Sequence, residues 1–188
     1  MPTIFTLMEA NNLSYSFICG KKKLLFLLND IKDNTVICYD VDEDNKDIEM
    51  KIARDFINDF KKRKPEMSFV HFPQPDRSGH SFGWMSGEYM NSLNTVDLEL
   101  GKIIEYMDSI DDHLIIITSD HGGHDKNHGT KDEVDMTIPW IAYGDNIKKN
   151  YIIKKQVFIY DTTPTVLKFL NLKIPKGLDG RPVDEIFN

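Results

Sequence analysis

Leu114-Ile115-Ile116-Ile117-Thr118-Ser119-Asp120-His121-Gly122-Gly123 is the stretch on which the fold turns. Its first half is an unbroken apolar, β-branched run, the pattern of a strand covered on both faces. Its second half breaks at once into a polar loop carrying glycine. A strand that stops in such a loop suits an open α/β sheet, where ligands gather outside the carboxyl ends of the strands.

The segments on either side fit that reading. Upstream, residues 88–110 form a long amphipathic helix carrying Leu93, Val96, Leu100, Ile103, Ile104 and Met107. Residues 67–72 are an apolar strand running into the Pro-rich loop 73–76. Residues 48–62 have helical periodicity, with Ile52, Phe56 and Phe60 on one face, and end in the basic run 61–64. Cations there suit the negative end of a helix dipole. Residues 15–19 and 35–39 read as strands, 2–10 and 24–29 as short helices, and 40–47 as an acidic, solvated turn. Downstream, 138–143 is a strand and 157–160 is short and extended. Asp161-Thr162-Thr163-Pro164 opens a helix to about residue 170, capped by a side chain. Residues 173–188 are punctuated by Pro and Gly. Strands alternating with helices predict a doubly wound α/β fold: a mainly parallel sheet with helices on both faces. Residues 1–188 are expected to form a single domain, with the strands 67–72 and 114–118 adjacent or nearly so.

Composition limits the function classes. The chain has 188 residues, 40% hydrophobic and 28% charged, as in an ordinary soluble globular protein. A net charge of -7 argues against a general nucleic-acid surface. An anionic small substrate remains compatible if metal ions supply local positive charge. The two cysteines, Cys19 and Cys38, form no CxxC pair, so no zinc–thiolate site is indicated. Each lies in an apolar run and is expected to be a buried reduced thiol, with a disulfide left open. No run reaches membrane-spanning length. The first ten residues lack the basic and apolar regions of a signal peptide, which implies a cytoplasmic protein if Met1 is the true start.

Two segments carry the chemistry. One is His71-Phe72-Pro73-Gln74-Pro75-Asp76-Arg77-Ser78-Gly79-His80, and the other runs from Thr118 to Thr130. Each follows a predicted strand, and together they hold five of the six histidines. Imidazole with carboxylate is a ligand set suited to zinc and similar divalent ions. Gly79, Gly122, Gly123 and Gly129 are expected to allow tight turns that aim side chains inward. His71 is expected to pack, His113 to be solvated, and Trp84 and Trp140 to pack.

The motifs also carry a resemblance. Asp76-Arg77-Ser78-Gly79-His80-Ser81-Phe82-Gly83, followed by a helix with Tyr89 and Asp97, resembles the Asp-x-x-Gly-His segment of type I phosphodiesterases and nucleotide pyrophosphatases of the alkaline phosphatase superfamily. Ser119-Asp120-His121-Gly122 resembles their Ser-Asp-His-Gly segment, and His128-Gly129-Thr130 their downstream His-Gly. Residues 161–170, Ile174-Pro175 and Asp179-Gly180-Arg181-Pro182 resemble the superfamily's closing stretch. The likeness is strongest over residues 69–182.

That resemblance implies two divalent metal ions, zinc or alternatively manganese. Asp76, His80 and His128 would bind one, and Asp120 and His121 the other. His124, Lys126 and Asn127 are candidates to line the substrate site. The family's Thr or Ser nucleophile and a further aspartate have no counterpart here, because Thr3 and Thr6 open a helix. The chain is therefore expected to be the C-terminal portion of such a catalytic domain, inactive alone. The implied partner is a small phosphate ester or nucleotide, and the implied reaction is hydrolysis of phosphodiester or pyrophosphate bonds. The alternatives are another superfamily reaction (sulfatase, phosphomonoesterase or cofactor-independent phosphoglycerate mutase) or a non-catalytic metal-binding remnant.

Overall fold

A computed structural model describes residues 2–28, 34–39 and 47–188. The acidic turn expected at 40–47 lies outside the described residues apart from Asp47, and so does Asn29. The chain divides into two compact units, Met1–Tyr106 and Met107–Asn188.

In the first unit Thr3 caps helix α1 (Ile4–Ala10), its hydroxyl accepting the Thr6 N–H at 3.3 Å. A hydroxyl in that place satisfies one of the orphan donors of the first turn. Strand β1 (Tyr15–Cys19) follows and is buried along its whole length. Next come a short 3-10 turn (Lys22–Leu27), strand β2 (Thr35–Cys38), helix α2 (Ile48–Arg63) and strand β3 (Met67–His71). β1 is the middle strand of a parallel sheet ordered β2-β1-β3.

Side chains alternate across a strand, so odd and even residues of β1 meet different helices. On one face, Phe17 stacks on Phe69 at 4.9 Å between ring centroids. Phe5 of α1 lies edge-on to Phe17 at 5.2 Å. On the other face, Asp59 of α2 accepts hydrogen bonds from Ser16 of β1 and from Thr35 of β2. Helices therefore cover both faces of the sheet, as the doubly wound reading requires. α2 buries Ile48, Ile52 and Phe56, a helical spacing. Its last turn carries Lys61, Lys62 and Arg63, as the dipole argument predicts. Helices α3 (Asp76–Phe82) and α4 (Gly87–Met107) complete the sequence of elements to the boundary.

In the second unit, strand β4 (Leu114–Thr118) is followed by helix α5 (Glu133–Met136), strand β5 (Trp140–Gly144) and helix α6 (Thr162–Phe169). Buried Asp161 ties this unit's tail down, accepting the backbone N–H of Phe158 and of Arg181, each at 2.9 Å. Ile147, Val183 and Ile186 form a small core with Trp140 packed against it. No helix among the described residues is long and apolar enough to cross a membrane.

Several expectations are corrected. β3 pairs with β1, whereas β4 pairs antiparallel with β5 in a separate sheet. A continuous apolar run reports coverage of both faces but carries no information about which strand lies beside it. The shared-edge argument for bringing the two histidine-bearing loops together is thereby removed. Residues 76–82, where Gly79 was expected in a tight turn, are helical. The stretch 157–160 ends in a 3-10 turn, Ile159–Asp161, and the Asp161 carboxylate serves that turn and Arg181 instead of capping α6. His113 is buried, because its ring meets the Ile110 carbonyl at 2.8 Å.

Candidate metal centre

In the first unit Asp76 opens α3 immediately after Pro75. His80 lies four residues on, so both side chains project from one helix face. His80 Nε2 stands 3.4 Å from Asp76 Oδ1, and Lys21, just beyond β1, places Nζ 3.2 Å from Asp76 Oδ2. Two ligand atoms bound tetrahedrally to zinc at ordinary distances are themselves about 3.4 Å apart. The Asp76–His80 pair therefore fits two corners of such an ion. Tyr89 is pushed above the ordinary phenol range, chiefly by burial and further by the charge of Asp76.

Gly79 has a packing role rather than a turn role. A Cβ there would come within 2.7 Å of the Trp84 indole, which also meets the His80 ring edge-on at 5.2 Å. The Gly79→Ala substitution should push Trp84 away and destabilise the chain by about 1–3 kcal/mol, the usual range for overpacking. Its zinc affinity should fall with the displaced His80. Urea unfolding and zinc titration check this, and wild-type behaviour in both would show that Trp84 moves freely.

In the second unit β4 delivers Asp120 and His121. Asp120 is exposed, and its Oδ1 lies 3.7 Å from His121 Nε2. His121 Nδ1 meets the Gly122 carbonyl at 2.7 Å. Donation of Nδ1–H to a carbonyl leaves the Nε2 lone pair for an ion. His128 stacks on His121 with ring centroids 3.6 Å apart. Gly122 lies against α5, its N–H bonded to the Asp135 carbonyl at 2.8 Å. A Cβ at Gly122 would come within 2.0 Å of the Val134 carbonyl oxygen. Of the four glycines expected in tight turns, only Gly129 has a positive φ, +95°.

His124 is held by a residue the sequence reading missed. Its Nδ1 lies 2.8 Å from Oδ1 of buried Asp135, whose Oδ2 accepts the Thr130 N–H and hydroxyl, each at 2.8 Å. Lys126 and Asn127 are exposed, and Asn127 closes a backbone bridge with His124. Asp135 gave no motif signal; Lys21 could have been found from its place just after a predicted strand.

The His124 hydrogen bond is the main influence drawing Asp135 down to about 2, and the same bond raises His124 above the usual imidazole value. The depressed carboxylate contributes stability above its unfolded value of about 4 and loses it as pH falls toward the folded one. The raised imidazole contributes below about 6.5 and loses that contribution as pH rises through its folded value. For metal-free protein, the melting-temperature gap between wild type and His124→Gln should be widest between about pH 4 and 6.5. It should narrow on both sides, and a gap independent of pH would dissolve the ion pair.

A family model described as the Metalloenzyme superfamily matches residues 25–174. The GPI ethanolamine phosphate transferase 1 of Chaetomium globosum is 31% identical over 105 residues, covering 54% of this chain and 11% of its own length. A 2,3-bisphosphoglycerate-independent phosphoglycerate mutase of Mycoplasmoides gallisepticum is 24% identical over 126 residues, covering 64% of this chain and 24% of its own. A phosphopentomutase of Clostridium perfringens is 30% identical over 95 residues, covering 50% and 23%. The chain thus spans about a quarter or less of these relatives.

Proposed function

The chain belongs to the Metalloenzyme superfamily, and we propose from this that it forms the ligand-bearing part of a metal-dependent enzyme acting on small phosphate esters. The observation that carries the proposal is the Asp76–His80 pair at tetrahedral-edge spacing, with the Asp120–His121 pair as its counterpart. Asp76, His80 and His128 would hold one divalent ion, and Asp120 and His121 the other, with zinc favoured by the imidazole-and-carboxylate donor set. Ions held there would supply the positive charge that an in-line displacement at phosphorus needs.

The remaining roles fall to side chains. His124, its Nδ1–H given to Asp135, presents Nε2–H as a donor to a phosphoryl oxygen when the ring is protonated, the form that Asp135 favours. Lys126 offsets substrate charge, and Asn127 offers an amide. The bond type we propose is phosphodiester or pyrophosphate, supported by the Gly79-His80-Ser81-Phe82-Gly83 continuation. A second reading, phosphoryl transfer to an acceptor other than water, is favoured by the mutases and the phosphate transferase among the relatives.

Titration with AMP tests the shared part. Zinc-loaded chain should bind AMP, metal-free chain should not, and His121→Ala should lose binding. AMP binding that ignores zinc would overturn the proposal. Turnover of bis-p-nitrophenyl phosphate should stay well below about 1 s⁻¹, the lower end of ordinary enzymes, because no residue of this chain is assigned as nucleophile. Faster turnover would reveal a nucleophile within it.

A further inference from the structure

The two cysteines lie together at the carboxyl ends of adjacent parallel strands. Cys19 of β1 is the register partner of Cys38 of β2. In-register neighbours sit about 4.8 Å apart and point to the same face. Disulfides span Cα separations of about 4.4–6.8 Å, so no backbone movement is needed to join them. The sulfurs already touch, Sγ to Sγ at 2.6 Å, with both thiols free. Their accessibility differs: Cys19 is fully buried, whereas Cys38 is half-buried on a strand paired on one side only among the described residues.

We propose that Cys19 and Cys38 are a dithiol that a hydroperoxide converts to a single intramolecular disulfide. The dithiol reaction uses none of the proposed metal ligands. The Cys38 thiolate attacks the terminal peroxide oxygen, breaking the O–O bond. It becomes a sulfenic acid, and the alkoxide takes up the proton the thiol gave. The Cys19 sulfur then attacks the Cys38 sulfur, and the sulfenic hydroxyl leaves as water with the Cys19 proton. Two electrons pass from the sulfur pair to the peroxide, giving one disulfide, one alcohol and one water. Burial, with the hydrogen bond to Cys38, pushes the Cys19 thiol up to about 12, so it is protonated and keeps the proton that the departing hydroxyl needs. Contact with its partner offsets its weak nucleophilicity by proximity. The order of events follows access, because the oxidant reaches Cys38 first.

The experiment is hydrogen peroxide treatment of the native chain, alkylation of remaining thiols, trypsin digestion and mass spectrometry. Trypsin leaves Cys19 in the fragment 1–21 and Cys38 in the fragment 33–46. The expected product is these two fragments joined, from a monomer lighter by two hydrogens. Two alkylated thiols, disulfide-linked dimers, or sulfinic acid at Cys38 beside a free Cys19 would each overturn the proposal. Cys19→Ser should accumulate a dimedone-reactive sulfenic acid at Cys38. Phenylarsine oxide gives a readout on the unaltered sequence. It should bind one equivalent per reduced chain and none per Cys38→Ser chain, and failure to bind reduced chain would contradict the juxtaposition.

Discussion

Replacing Asp76 by alanine is expected to reduce zinc stoichiometry by one ion and weaken what binding remains at that site by at least ~100-fold. The estimate follows from scale: disturbing residues behind a metal ligand already costs about 10–100-fold in affinity, and Asp76 would be a ligand itself. Its carboxylate also pairs with Lys21 at 3.2 Å, both side chains partly exposed. An ion pair of that kind contributes about 0–1 kcal/mol, so folding should be nearly unaffected. Calorimetric titration of metal-free protein with zinc, beside a melting curve, separates the two effects. Undiminished stoichiometry and affinity in a folded Asp76→Ala chain would remove Asp76 from the metal site.

A second large effect belongs to the core. Phe17 is fully buried, stacked on Phe69 and met edge-on by Phe5. Phe17→Ala leaves a hole that α1 and β3 must collapse into together. Large-to-small changes of this kind cost about 3–5 kcal/mol, a large share of the roughly 5–15 kcal/mol that holds a domain folded. Urea unfolding followed by circular dichroism measures it. A loss below about 1 kcal/mol would mean that the Phe5–Phe17–Phe69 cluster is not the centre of the first unit.

The strand 114–118 was legible because an apolar, β-branched run needs no distant information to declare itself, and 15–19 because Tyr15, Phe17 and Ile18 suit an extended stretch that stops at Gly20. Helix α2 was legible through the helical spacing of Ile52, Phe56 and Phe60, and the structure buries Ile52 and Phe56 with Ile48 in front of them. Strand pairing was not, since the residues of β4 look alike beside β3 or β5. Helix α3 was hidden by its own composition. Pro73 and Pro75 precede it, and Gly79 sits inside it, where glycine is a poor helix former. Gly79 is there because the Trp84 ring lies against it, a contact that sequence spacing does not reveal.

His113 was misjudged because Asp111 and Asp112 before it look solvated, while its ring turns inward to Ile110. Asp76, His80, Asp120, His121 and His128, the proposed ligands, were picked out by motif spacing near strand ends. Asp135 was not, because it acts through a hydrogen bond across eleven residues to His124. The superfamily was legible from the same motifs. The type of bond acted on was not, since relatives named as mutases and as a transferase are both similar to this chain.

The central claim is that Asp76, His80 and His128 hold one ion and Asp120 and His121 a second. Anomalous diffraction at the zinc edge, from crystals grown with zinc, addresses it directly. The account predicts two peaks about 3.5–4 Å apart. One should lie about 2.0–2.2 Å from ligand atoms of Asp76, His80 and His128, and the other at the same range from Asp120 and His121. Zinc bound elsewhere, with Asp76 and His80 bare of any peak, would contradict it.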